Sequence, residues 1–128
     1  MAIAIVRLGT KRARAEGIRI GTVRRPPRGV PKRDFAKRDF YDAWLPELAP
    51  SDELVKLGQK AASDAQWQAF VKGYRREMRT PEASRLLELL AVLSHTAAFS
   101  VGCYCENAAR CHRSVLRELL REHGAALR

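Results

Sequence analysis

Three cysteines, a histidine and two arginines fall between positions 103 and 113 of a 128-residue chain, in the run GCYCENAARCHRS that starts at Gly102. Thiolates are nucleophiles and soft metal ligands, imidazole binds metals or moves protons, and guanidinium holds phosphate or carboxylate. Two kinds of chemistry follow. In the first, Cys103, Cys105, Cys111 and His112 supply three thiolates and an imidazole, a ligand set that suits tetrahedral zinc. The C-x-C-x5-C-H spacing is not one of the common C-x2-C pairs, however, and adjacent Cys111 and His112 are an awkward pair for one ion.

The second kind uses the start of a helix. An apolar, β-prone run from Phe99 to Cys103 leads into a polar loop, and Cys111-His112-Arg113 opens a segment whose apolar face is Val115, Leu116, Leu119 and Leu120. Backbone N–H groups and the positive end of the macrodipole make a helix N-terminus an anion site, to which Arg110 and Arg113 add charge. The same field favours the thiolate, making Cys103 or Cys111 the candidate nucleophile with His112 as acid or base. The C-x4-R run from Cys105 to Arg110 loosely resembles the cysteine-to-arginine anion loops of rhodaneses and cysteine phosphatases. The plain alternative is packing, with cysteines as small apolar residues under a helix start.

Such a site needs a strand and a helix to hold it, and the pattern supplies both. Ile3, Ile5 and Val6 read as a first strand, and positions 17–23 alternate as a second. The ten residues between them are short for a parallel crossover, so the pair is antiparallel or tightly connected. Residues 24–50 hold five of the six prolines and carry Arg24, Arg25 and Arg28 in the run RRPPRG. Proline stiffens such a segment and fixes its guanidinium groups for anion binding. Positions 34–44 suggest a turn or two of helix, with Phe35, Phe40, Tyr41 and Trp44 as packing anchors.

Three capped helices follow: one after Ser51 that stops at Gly58, one with the capping box Ser63 and Gln66, and one opened by Thr80-Pro81-Glu82. Trp67, Phe70, Val71, Tyr74 and Met78 form a continuous core face, as do Leu86, Leu87, Leu90 and Leu93. His95 then marks a helix end. The expected fold is a single small α/β domain over residues 1–128, with a small, at least partly parallel sheet packed with helices. It comprises basic strands and a proline/arginine connection (1–50), helices (51–95) and a strand-loop-helix site unit (97–123).

The formal net charge is +10, of which residues 1–40 carry +9. Such a field attracts phosphate-bearing partners and supports nucleic-acid binding, or simply solubilises an arm. No run approaches a membrane span, the N-terminal apolar run is too short for a signal peptide, and three clustered cysteines make no disulfide framework. The expected location is the cytoplasm, and no membrane partner is expected.

The motifs in combination resemble a large family of uncharacterised bacterial and archaeal proteins, the YeaO-like proteins among them, classed as a domain of unknown function. Its C-terminal signature is similar to Gly102-Cys103-Tyr104-Cys105-Glu106 with Cys111-His112-Arg113-Ser114, and RRPPRGV, WLPELAPSDEL and WQAFVKGYRREM at positions 24, 44 and 67 resemble its other segments. The resemblance implies a small α/β domain with Arg24, Arg28, Cys103, Cys111, His112 and Arg113 meeting at one end of the sheet, and no established reaction. Relatives often have an aspartate near Thr22 and Val23 and a glutamate in place of Cys105, so this chain lacks one carboxylate and gains a thiol.

Taken together, the residues point to a site for a phosphate-bearing ligand, a nucleotide or a nucleic-acid end. Arg24, Arg25, Arg28, Arg110 and Arg113 would bind charge, and Cys103, Cys111 and His112 would carry any reaction. A non-catalytic nucleic-acid-binding module and a zinc-binding interaction domain are the alternatives.

Overall fold

The β-branched run near the start forms β1 (Ala2–Arg7), but its neighbour comes from the far end of the chain, β4 (Ala98–Cys103). In the computed structural model, which describes residues 1–105 and 110–128, these join β2 (Ile18–Gly21) and β3 (Ala43–Trp44) in a sheet of order β1-β4-β2-β3. Every pair is parallel, with Arg7 opposite Cys103 and Gly21 opposite both Gly102 and Trp44.

The first two strands are therefore parallel but not neighbours, since β4 lies between them. The short connection works because a six-residue strand is about 20 Å long and ten extended residues reach about 33 Å or more. The return needs no helix. It passes close over the start of β4 at Gly17, whose φ is +79° and whose place a Cβ would deny by overlapping the Ala98 carbonyl oxygen.

Period-two alternation divides the sheet into two unlike faces. Ile3, Ile20, Phe99 and Val101 share a core cluster with residues of three helices: α2 (Asp64–Glu77), α3 (Pro81–Leu93) and α4 (His112–Glu122). The α2 stripe of Trp67, Phe70, Tyr74 and Met78 is buried as its spacing requires. In α3 the buried face is Ala83, Leu87, Leu90 and Ala91, while Leu93 is exposed. The shorter α1 (Asp52–Gln59) packs on α2. Ser51, Ser63 and Thr80 cap α1, α2 and α3 through their side chains, with the full capping box at Ser63 and Gln66.

On the other face Arg19 and Ser100 sit opposite each other in register, and Glu16 bonds to both, at 2.6 Å to Arg19 Nε and 2.8 Å from Ser100 Oγ. Arg19 is 1% exposed and also donates to the Thr10 and Asp39 carbonyls at 2.7 Å. The residues contacted belong to 8–17 and 32–42, so these irregular segments are tied down by one guanidinium.

Positions 34–44 do not form the expected helix. There is one 3-10 turn, Lys32–Asp34, and then irregular chain into β3. Arg12 explains this: it bonds the Ala36 carbonyl, Asp39 and both oxygens of Asp42, and Asp39 adopts a left-handed φ of +62°. The aromatic anchors still pack, Phe35 edge-on to Tyr41 at 5.2 Å, and Trp44 Nε1 donates to the Val23 carbonyl at 2.6 Å.

At the C-terminus, Leu127 forms a parallel bridge with Ile3, which covers the outer edge of β1. No helix among the described residues is long and apolar enough to cross a membrane.

Candidate functional site

The carboxyl end of an open parallel sheet is where ligands bind in α/β folds, because loops diverge there and helix N-termini point at the gap. In this chain β4, an inner strand, ends at Cys103, and α4 begins beside it with Cys111 as its N-cap. The two sulfurs lie 2.7 Å apart and both residues are buried. They are not bonded, since a disulfide is about 2.05 Å long, and all three cysteines are free.

Adjacency of Cys111 and His112 proves no obstacle to convergence. Cys111 is still extended, at φ −134° and ψ 152°, whereas His112 is the first helical residue. That change of backbone direction turns both side chains inward, with Cys111 Sγ 3.9 Å from His112 Nδ1. The other ring nitrogen, Nε2, lies 2.7 Å from the Thr22 carbonyl just beyond β2. A carbonyl only accepts, so Nε2 carries the proton and Nδ1 presents its lone pair to the sulfurs. Tyr74 backs the imidazole edge-on at 5.6 Å and anchors itself by donating to the Leu48 carbonyl at 2.7 Å.

Burial pushes the His112 pKa down, against the opposing pull of the Thr22 carbonyl, so the ring stays neutral. Within the thiol pair the hydrogen bonds set the asymmetry. Donation from Cys103, then Cys105, holds Cys111 well below the ordinary thiol range despite burial, with smaller help from Arg113. Cys103 is pushed up by its bonds to Cys105 and Cys111 and by burial.

A groove opens beside this centre in two adjoining lobes. The larger, about 400 Å³, is lined by Arg24, Arg25, Cys103, Tyr104, Cys105 and His112 on one side and by Pro50, Asp52, Val55 and Gln59 on the other. The smaller, about 100 Å³, reaches Arg110, Cys111 and the rings of Trp67 and Phe70. Pro50, Val55, Gln59, Cys105 and His112 belong to both lobes, so α1 and the segment before it form the facing wall.

The residues singled out from sequence meet here unequally. Cys103, Cys111 and His112 come together, with ligand atoms within 4.8 Å of one another. Cys105 lies beyond the strand end, is exposed, and lines the groove outside that triad. Arg24 faces the larger lobe and clamps the wall by donating to the Pro50 and Ala49 carbonyls. Arg25 sits at the rim in an exposed ion pair with Asp52 at 3.1 Å. Arg110 lines the smaller lobe and pairs with Asp64 at 2.8 Å. Arg113 is buried behind the loop, where Nη2 donates to the Cys105 carbonyl at 2.6 Å and Nε has no partner among the described residues. Arg28 is exposed and outside both lobes. The anion loop suggested by Cys105 and Arg110 includes residues 106–109, which lie outside the described residues.

Sequence reasoning missed the Thr22 carbonyl, the Tyr74 ring and the α1 wall. The first leaves no trace in a sequence because any residue has a carbonyl; Tyr74 was visible only as a core position.

Comparison with known proteins agrees with the motif-level resemblance. The family model DUF488-N3a, described as the active DUF488-N3 subclade, matches residues 3–124. No curated protein and no solved structure matches the chain. With nearly its whole length matched, the chain belongs to the DUF488 family, the family of uncharacterised proteins to which the YeaO-like proteins also belong.

Proposed function

We propose that the groove binds a small phosphate-bearing ligand, such as a nucleotide or a nucleic-acid end, and that Cys111 is the reactive group which faces it. The observation that carries this reading is the position of Cys111: the N-cap of α4, at the carboxyl end of a parallel sheet, beside a groove with Arg24 and Arg25 on its rim. The helix N-terminus favours negative charge at that point. With Cys111 held as the thiolate by its hydrogen-bond donors, the Nδ1 lone pair of His112 is left to accept a proton from a ligand group that approaches the sulfur. The family description, "active", accords with a working centre.

Arg25 and Arg110 are the contributors that can exchange partners. Their exposed pairs with Asp52 and Asp64 are of a type worth about 0–1 kcal/mol, so a phosphate can compete for either guanidinium. Arg24 acts differently, as a clamp that keeps the wall at a fixed distance. A non-catalytic nucleic-acid surface is the weaker reading, because Arg12 and Arg19, two of the basic residues in the N-terminal third, are committed to internal bonds.

The test is calorimetric titration of inorganic phosphate and a nucleoside monophosphate into the full chain. Binding is expected, with Arg25→Gln weakening it about tenfold, the worth of one charge-assisted hydrogen bond. Absence of binding, or an unchanged affinity in both Arg25→Gln and Arg110→Gln, overturns the anion reading. Retained binding in Cys111→Ser is expected, since the sulfur is assigned to reaction rather than affinity.

A further inference from the structure

We infer that Cys103 Sγ, Cys111 Sγ and His112 Nδ1 form a site for one zinc-class divalent ion, with a fourth coordination position open to the groove. Three observations carry this. The three donor atoms lie within 4.8 Å of one another, and all three residues are buried. The imidazole is already oriented as a ligand: Nε2 is spent on the Thr22 carbonyl at 2.7 Å, leaving the Nδ1 lone pair to face the sulfurs. Metal-bound histidines are characteristically fixed in this way, by a carbonyl or carboxylate on the other ring nitrogen. The donor set of two thiolates and an imidazole selects a borderline-soft ion over magnesium or calcium.

The donor atoms need shifts on the order of 1 Å to meet one ion. Zinc with bonds of about 2.3 Å to sulfur and 2.0–2.1 Å to nitrogen, in tetrahedral geometry, sets sulfur and nitrogen about 3.6 Å apart and the two sulfurs about 3.8 Å apart. Cys111 Sγ and His112 Nδ1 are at 3.9 Å, and the sulfurs, at 2.7 Å, must part by about 1 Å, within reach of small side-chain rotations. The ion also resolves the electrostatics of burial. Two thiolates, a neutral imidazole and a divalent cation sum to zero charge, so the loaded centre sits in the core without a counter-ion.

Three protein ligands leave a fourth position, and the exposed thiol of Cys105 and the groove lie on that side. Sites that keep such a position open admit water or a ligand group, whereas structural zinc sites are closed by four protein ligands. Occupancy masks the Cys111 sulfur, so the ion regulates the thiol; this consequence rests on the reactive-thiol reading, whereas the ion site itself does not.

The experiment uses the untagged full chain, purified under reducing conditions without added metal or chelator. Elemental analysis, cobalt titration of chelator-treated protein, and thiol counting with Ellman's reagent are run on the same preparation. The expected result is about one ion per chain or uptake of one cobalt, thiolate-to-cobalt charge-transfer bands with tetrahedral ligand-field bands, and one reactive thiol in the loaded protein against more in the stripped protein. Cys103→Ser and His112→Gln should each weaken cobalt binding at least about 100-fold, the upper range for losing even an outer-shell partner, while Cys105→Ser leaves affinity within a few-fold.

Failure to take up cobalt, with thiol reactivity indifferent to metal, overturns the site. A Cys103–Cys111 disulfide that forms in place of metal uptake under reducing conditions also overturns it. A large loss of affinity in Cys105→Ser overturns the open fourth position. Because the wild-type spectrum needs no variant, misfolding of a substituted protein does not obscure the result. Phosphate binding measured on the stripped protein reads the anion site separately, so either assignment can fail alone.

Discussion

At the scale of single residues, the centre depends on side chains whose role is to hold others still. His112 has one polar anchor, the Thr22 carbonyl, and one apolar wall, the edge of Tyr74. Tyr74 is in turn held by its hydroxyl on the buried Leu48 carbonyl. Tyr74→Phe keeps the ring and removes only that bond, leaving the Leu48 oxygen unsatisfied. The expected cost is about 1–3 kcal/mol in urea unfolding, with metal or phosphate affinity unchanged because the ring wall survives. A loss of ligand affinity without a loss of stability would assign the hydroxyl to the site and contradict this account. The identities of Cys103, Cys111 and His112 were legible from their types and clustering alone. Their convergence was not, because it depends on Cys111 being an extended N-cap and His112 the first helical residue, and a one-residue shift of the helix start would separate them.

At the scale of elements, β4 is the spine, flanked by β1 and β2 and ending in Cys103. Close strand packing at its end depends on Gly102, where a Cβ would overlap the Val6 carbonyl oxygen and press on the Val6 side chain. Gly102→Ala should therefore push β1 from β4, at a cost of about 1–3 kcal/mol for overpacking, and loosen the Cys103 anchor with it. Gly29→Ala is the contrast: φ is +76° but nothing lies within 4 Å, so only backbone strain of about 1–2 kcal/mol applies. Denaturant unfolding together with thiol accessibility separates them, since Gly102→Ala alone should expose Cys103 to Ellman's reagent. Equal thiol protection in the two variants would show that the close approach of β1 and β4 does not hold the site. The helices were legible here because Ser51, Ser63-Gln66 and Thr80-Pro81 are local signals. The strand order was not, because parallel pairing of Ala2 with Ala98 joins segments nearly a chain length apart. The helix expected at 34–44 failed for the same reason, as Arg12 captures its carbonyls and carboxylates from outside the segment.

At the scale of the whole molecule, the strong positive charge of the first forty residues is partly internal architecture. Arg19 is the clearest case, a buried cation that joins Glu16, the Thr10 and Asp39 carbonyls and, through Glu16, Ser100 of β4. The face of the sheet away from the helices is closed by this network together with a small apolar cluster that includes Val6, Phe35, Phe40 and Tyr41, so its integrity depends in part on one carboxylate staying ionised. Burial alone would raise the Glu16 pKa, but hydrogen bonds from Arg19, the Ala13 N–H and Ser100 outweigh it and hold the carboxyl below its ordinary value. A depressed folded-state pKa stabilises the fold above the unfolded value of about 4.3, and that stability is lost as pH falls through the folded pKa. Glu16→Gln leaves Arg19 buried without a counter-charge, a loss of about 3–5 kcal/mol near neutral pH. Protonation of Glu16 makes the wild type resemble the variant, so the stability gap measured by urea unfolding should shrink as the pH falls from about 6 toward about 3. Asp42, whose carboxyl is also held low, first by its hydrogen bond from Arg12, titrates in both proteins and cancels in the difference. A gap that stays constant across this range would mean that Glu16 contributes through hydrogen-bond shape rather than charge, and that the basic third is tied to the sheet by something other than this ion pair.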